Sequence, residues 1–246
     1  MSSEQSIIAA ARIPTIKVES RYDIIPDYLR DVYTWAYLTP LALKIFDHPS
    51  VVSAILWGNY HRLIRETLRE IGRGQKVLQV ACVYGEFSIR LAESIGSAGC
   101  LDIIDVAAIQ LEKCREKLRH LPYARALLAD AANPPEGPYD TVCCFFLLHE
   151  VPEDYKAKIV NAALNRVKPG GKLVFVDYHR PALLHPLRPV MWAVFKTLEP
   201  FALPLWSNQI MDYATHSDEF TWTKQTFFGG MYQKVVVTRN VADNVK

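Results

Sequence analysis

Hydrophobic and polar positions divide the chain into an N-terminal helical stretch followed by a strand–helix alternation. From Pro26 the apolar spacing Leu29, Val32, Tyr33, Ala36 predicts a helix that breaks at Pro40. A second helix is expected after Pro49, with Ser50 as its cap. Val52, Ile55, Leu56, Leu63, Ile64, Leu68 and Ile71 lie along one face, and Gly72 and Gly74 end it. From Lys76 the period changes. KVLQVACV (76–83) is a short, valine-rich apolar run, the pattern of a strand buried on both faces of a parallel sheet. FSIRLAESIG reads as a helix, LDIID (101–105) as a strand and AIQLEKCREKLRH as a helix. RALLAD (125–130) and TVCCFFLLH (141–149) read as further strands. A helix over 153–167 and the turn KPGG lead into KLVFVDY (172–178), and TKQTFFGGMYQKVVVTR reads as a hairpin about Gly229–Gly230. The alternation predicts an α/β fold with a mostly parallel sheet, its terminal hairpin supplying antiparallel edge strands.

The boundaries that follow are a polar tail over residues 1–21, a helical cap over 22–72 and an α/β core over 73–180. An apolar lid or membrane-interface segment over 181–215 and the hairpin over 216–246 complete the chain. A net charge of +2 on 246 residues, without a basic stripe, argues against nucleic acid as the partner. The odd number of cysteines, five, contains no CxxC pair, and Cys82, Cys143 and Cys144 fall in apolar runs. That usage fits free thiols in a reducing compartment, so a cytoplasmic location is expected. No secretory signal is apparent. The segment 181–206 is apolar, but five prolines and His185, Arg188, Lys196 and Glu199 interrupt it. It can lie on the inner face of a membrane or close over a site, but it is not built to span a bilayer.

The chemistry concentrates at strand ends. VLQVACVYGEF resembles the first motif of class I S-adenosylmethionine-dependent methyltransferases, V-L-D-x-G-C-G-x-G, through Val77, Leu78, Cys82 and Gly85. It departs at Gln79, where the motif has an acid, at Val83, where it has a glycine, and at Tyr84. Asp105 in DVAAIQLE matches the acid that accepts hydrogen bonds from both ribose hydroxyls, and Asp130 in ADAANPP the acid near the adenine amino group. LNRVKPGGKLVFVD matches the family's strand-five motif. The resemblance implies a Rossmann-like fold with a seven-stranded sheet and helices on both faces. It also implies an S-adenosylmethionine site at Gln79, Ala81, Tyr84, Gly85, Asp105, Val106, Asp130, Ala131 and Phe146.

The segment IPDYLRDVYTWAYLTPLALKIFDHPSVVSAILWGNYHRL (25–63), together with the altered QVACVYGEF, resembles the RquA family of rhodoquinone-biosynthesis proteins. That resemblance implies that ubiquinone is the substrate and that a ring methoxy group is replaced by an amino group. S-adenosylmethionine is then the amino donor, and a divalent metal such as manganese is required. A conventional methyltransferase of a lipophilic quinone or phenol, and a non-catalytic S-adenosylmethionine-binding member of a quinone-biosynthesis assembly, are the alternatives. The Tyr84 phenol can hydrogen-bond the donor amine, accept a proton, bind a metal if ionised, or simply pack on the adenosyl group. His149, at the expected end of strand four, is a candidate catalytic residue and, with Asp177 and His179 at the end of strand five, a candidate metal ligand. The alternative for each of the three is a hydrogen-bonded strand-end residue; Glu150 is a further candidate.

Overall fold

The computed structural model describes residues 25–37 and 44–241. The expected tail over 1–21 and the break at Pro40 lie outside them. The seven strands are β1 (Lys76–Val80), β2 (Cys100–Asp105), β3 (Ala124–Leu128), β4 (Tyr139–Phe145), β5 (Val167–Tyr178), β6 (Phe220–Phe227) and β7 (Tyr232–Arg239). They form one sheet in the order β3-β2-β1-β4-β5-β7-β6. The first five are parallel, and β7 runs antiparallel to both β5 and β6.

Side-chain alternation explains why β1 reads as continuously apolar. Val77 joins one core and its neighbours Leu78 and Val80 the other, so each face of the sheet is covered. On the first face lie α2 (Pro49–Ile55), α3 (Tyr60–Leu68), α4 (Phe87–Ile95), α5 (Ala108–Leu118) and α7 (Arg188–Thr197). Against the other packs α6 (Glu153–Asn165), through Ile159, Val160, Ala163 and Leu164. The remaining helix, α1 (Asp27–Tyr37), rests on α6 through Tyr28, whose ring centroid is 5.3 Å from that of Tyr155.

Several expected boundaries differ. The single helix expected from Ser50 to Ile71 is two, because Trp57 (φ 51°) and Gly58 (φ 77°) turn left-handed between α2 and α3. The cap of α2 is His48, whose Nδ1 accepts the Ser50 amide at 3.3 Å; Ser50 lies inside the helix. Strand four stops at Phe145, since Phe146 turns to φ 53°, and Leu148–Glu150 form a 3-10 turn. His149 therefore sits in that turn and not on the strand. KPGG does not precede β5 but lies within it, opposite a register shift between Tyr139 and Thr141. The hairpin about Gly229–Gly230 forms as expected.

Candidate active site

At the carboxyl ends of β1 and β2 the sheet opens a cleft lined by Ala81, Cys82, Asp105, Val106, Asp130 and Ala131, among others. This is where an open parallel sheet binds ligands, between strand ends and the helices that follow. The order β3-β2-β1-β4 places the switch point there, with the chain leaving β1 to one side and β4 beginning the other.

The turn after β1 is the most unusual backbone in the cleft. Ala81 has φ 75°, a left-handed conformation that glycine adopts freely and that costs an alanine about 1–2 kcal/mol. Gln79 pins it. Fully buried, Gln79 donates from Nε2 to the Ala81 carbonyl at 2.9 Å, while its Oε1 has no partner. Gly85 (φ 84°) has a different reason to be glycine, because a Cβ there would run into the Tyr60 hydroxyl. Its amide donates to Asp47 Oδ1 at 3.0 Å and its carbonyl accepts from Lys117 Nζ at 2.8 Å, and Lys117 also pairs with Asp47. Tyr60 completes the brace, donating to the Tyr84 carbonyl at 3.3 Å and accepting the Glu86 amide at 2.6 Å. None of Asp47, Tyr60 or Lys117 was singled out from sequence, since they reach the turn from α3, α5 and the segment before α2.

Asp105 ties the two loops of the cleft together. Its Oδ2 accepts the Cys82 amide at 2.8 Å and its Oδ1 the Ala107 amide at 2.7 Å. Burial pushes its pKa up to about 6, against the opposing pull of those backbone N–H groups. Each carboxylate oxygen keeps a second lone pair for a ligand. Asp130 is held similarly, accepting the Ala132 amide at 2.8 Å and the Tyr155 hydroxyl. Tyr28 and Leu29 bring α1 over the cleft, and Gln110, Leu147 and Glu150 close its remaining sides. The aromatic content before Pro40 was the only sequence signal for the first pair.

Gln79, Tyr84, Gly85 and Phe146 do not line the cleft itself. Tyr84 flanks it, its hydroxyl accepting from Gln110 Nε2 at 3.1 Å, its ring 6.0 Å from that of Phe46. Burial pushes the phenol up to about 12, so it remains protonated at neutral pH. Phe146 lies behind the cleft, edge-on to Tyr178 at 5.3 Å and to Tyr232 at 5.9 Å.

The expected metal set does not assemble. Asp177 is fully buried, and both its oxygens serve the turn after β4. Oδ2 accepts the Leu148 amide at 2.8 Å; Oδ1 accepts the Tyr178 amide at 2.7 Å and lies 2.9 Å from His149 Nδ1. Burial alone would lower the His149 pKa, but Asp177, and then Glu150 and Glu199, outweigh it and raise it to about 9. His149 is thus engaged on both ring nitrogens by carboxylates, Asp177 at Nδ1 and Glu150, whose Oε1 is 3.6 Å from Nε2. His179 lies apart, its Nδ1 2.9 Å from the Gly230 carbonyl and its Nε2 3.5 Å from Lys224 Nζ. Among the described residues no group of three or more His, Cys, Asp or Glu side chains is placed to hold a metal ion. The residues present do not fit a divalent ion.

The architecture is the Rossmann-like fold of class I S-adenosylmethionine-dependent methyltransferases. A methyltransferase from Aquifex aeolicus superposes with a TM-score of 0.56 at 19% identity, covering 82% of this chain and 98% of that one. The N-methyltransferase NodS from Bradyrhizobium japonicum gives 0.54 at 13% identity, over 74% and 94% of the two chains. Residues 77–171 match the Methyltransferase domain family. In sequence, the chain is 30% identical over 158 residues to a demethylmenaquinone methyltransferase of Staphylococcus haemolyticus, which spans 63% of this chain and 62% of that protein. It is 29% identical over 174 residues to the Staphylococcus aureus enzyme of that name, spanning 68% of each.

Proposed function

We propose that the protein is an S-adenosylmethionine-dependent transferase acting on a lipophilic quinone, and that it converts ubiquinone to rhodoquinone by exchanging a ring methoxy group for an amino group. The observation that carries the reading is the turn after β1. Ala81 and Val83 stand where the methyltransferase motif has glycines, Tyr84 stands beside the glycine that is kept, and its phenol is coupled through Gln110 to the cleft wall. A changed turn at the methionine end of the cofactor is what presenting a different donor atom requires. Asp105 would hold the ribose and Asp130 the adenine edge, with Ala81, Val106 and Ala131 packing on the nucleoside. The resemblance to the RquA family supplies the substrate, and the demethylmenaquinone methyltransferases named above support a quinone. Residues 22–72 are read as a cap over this site, 73–180 as its cofactor-binding core, 181–215 as the lid and 216–246 as the hairpin that completes the sheet. We take the protein to work in the cytoplasm, with residues 181–206 resting on the membrane that holds the quinone. Leu183 is 78% exposed, Leu184 92% and Trp192 48%, with Lys196 Nζ 4.9 Å above the Trp192 ring.

A second reading, methyl transfer to a quinone, is favoured by those same relatives. Incubating the protein with ubiquinone and S-adenosylmethionine, with and without manganese, and weighing the products separates the two. Exchange of OCH3 for NH2 is expected; gain of CH2, or no product in either arm, overturns the amino-transfer reading. Because the residues expected to bind the ion do not converge, no step is assigned to it, and the two arms decide its part.

A further inference from the structure

The cofactor cleft carries a third carboxylate that the nucleoside does not use. Asp105 and Asp130 follow β2 and β3 and are tied there by the Cys82, Ala107 and Ala132 amides. Glu150 lines the same cleft from the turn after β4. The order β3-β2-β1-β4 puts β1 between Glu150 and the other two. With adenine at the end of β3 and ribose at the end of β2, the rest of the cofactor runs past β1 toward Glu150. Among the described residues lining the cleft there is no lysine, arginine or histidine.

Glu150 is held from behind. Its amide donates to the Leu147 carbonyl at 3.0 Å, closing the 3-10 turn, and its Oε1 lies 3.6 Å from His149 Nε2. The other ring nitrogen meets Asp177, which the Leu148 and Tyr178 amides fix in place. Two carboxylates therefore share one imidazole. Even a fully protonated ring leaves this group with one negative charge in excess, and Glu150 is its member on the cleft side. The Glu150 side chain is only 12% exposed, so water screens its charge weakly. That charge reaches the Tyr28 phenol over the cleft and the Tyr84 phenol at the turn after β1, raising the pKa of both. A ligand that fills the space between them meets a negative wall, and S-adenosylmethionine brings two positive centres at its methionine end, the sulfonium and the α-ammonium.

We propose that Glu150 receives the cationic end of the cofactor and tells the loaded cofactor from the spent one by charge. Either transfer removes a positive centre. Methyl transfer turns the sulfonium into a neutral thioether, and amino transfer carries off the ammonium nitrogen. The carboxylate that draws the cofactor in thus loses its counter-charge once the group has left, which favours release. The inference rests on the S-adenosylmethionine reading above but not on which group is transferred. It is tested by calorimetric titration of S-adenosylmethionine, S-adenosylhomocysteine and 5′-methylthioadenosine into the intact protein, Glu150→Gln and Glu150→Asp, with melting curves to confirm folding. The last ligand keeps the nucleoside and lacks both cations. Glu150→Gln is expected to bind S-adenosylmethionine about 10–100-fold more weakly, the loss of one charged contact, with 5′-methylthioadenosine unchanged. Glu150→Asp, which keeps the charge, should recover most of that loss. S-adenosylhomocysteine keeps only the ammonium, so a parallel loss assigns the contact to the ammonium and no loss assigns it to the sulfonium; both support the proposal. Unchanged S-adenosylmethionine affinity in Glu150→Gln, an equal loss for all three ligands, or a Glu150→Asp variant as weak as Glu150→Gln overturns it while the cofactor reading stands. A parent that binds none of the three overturns both.

Discussion

Asp105→Asn is the most direct probe of the cofactor cleft, and its effects can be worked out before it is made. In the free protein the carboxylate is buried and its pKa is raised from 3.8 to about 6. A carboxyl whose folded pKa is raised contributes stability that is complete below the unfolded value and is lost as pH rises through about 6. Cofactor binding runs the other way, since ribose hydroxyls donate best to the ionised form. Affinity for S-adenosylmethionine should therefore be about tenfold weaker at pH 5 than at pH 7.5. The amide in Asp105→Asn keeps one acceptor and turns an NH2 toward either the Cys82 or the Ala107 amide, donor against donor. Loss of one hydrogen bond to a charged acceptor, about 1.5–3 kcal/mol, predicts binding roughly 10–150-fold weaker at pH 7.5 and no inflection near pH 6. Calorimetric titrations from pH 5 to 8, with melting curves to confirm folding, measure both. A variant within threefold of the parent, or a parent whose affinity is flat across that range, would remove Asp105 from the ribose site.

Tyr84→Phe removes the acceptor of the 3.1 Å bond from Gln110 and should lower turnover about 10²–10⁴-fold while the cofactor still binds; product formation at the parent rate would reduce the phenol to packing. His149, raised to about 9 by Asp177, Glu150 and Glu199 against its burial, contributes stability that is complete below pH 6.5 and lost as pH rises through 9. On the order of 3 kcal/mol is at stake, so the melting temperature should fall over that window, and a His149→Gln variant should fall less. The protein should float with anionic liposomes, and replacing Leu183, Leu184 and Trp192 by serine should return it to the bottom fraction; equal flotation of parent and variant would assign the segment to a lid alone.

The sheet was legible in the sequence because buried parallel strands are short, apolar and β-branched, and each was found within a few residues. What was not legible came from local backbone reversals and from contacts distant in the chain. The run Phe145–His149 stays apolar after the strand ends, so hydrophobicity could not reveal that Phe146 turns left-handed and starts a 3-10 turn. Gly58, which the expectation of a single helix passed over, turns left-handed together with Trp57 and divides α2 from α3. At the cleft, Asp105 and Asp130 were singled out by their match to the family's motifs at strand ends, and both line its wall. The partner that fixes the turn could not be, since Gly85 meets Asp47 from 38 residues away; His149 and Asp177, grouped by their strand-end positions, do meet, but as a hydrogen-bonded pair. Once Asp177 is committed to the turn after β4, the histidines expected beside it no longer form a set.

The antiparallel hairpin has a consequence for how the chain is made. β7 covers β5 along Lys172–Tyr178, yet it follows every other strand of the sheet in the chain. Until it emerges from the ribosome, β5 presents a valine-rich edge with unpaired amides and carbonyls, the form of strand that recruits other chains. Assembly of the sheet is then gated by its latest-synthesised strand, and a nascent chain stalled between residues 179 and 231 is the species a chaperone has to shield.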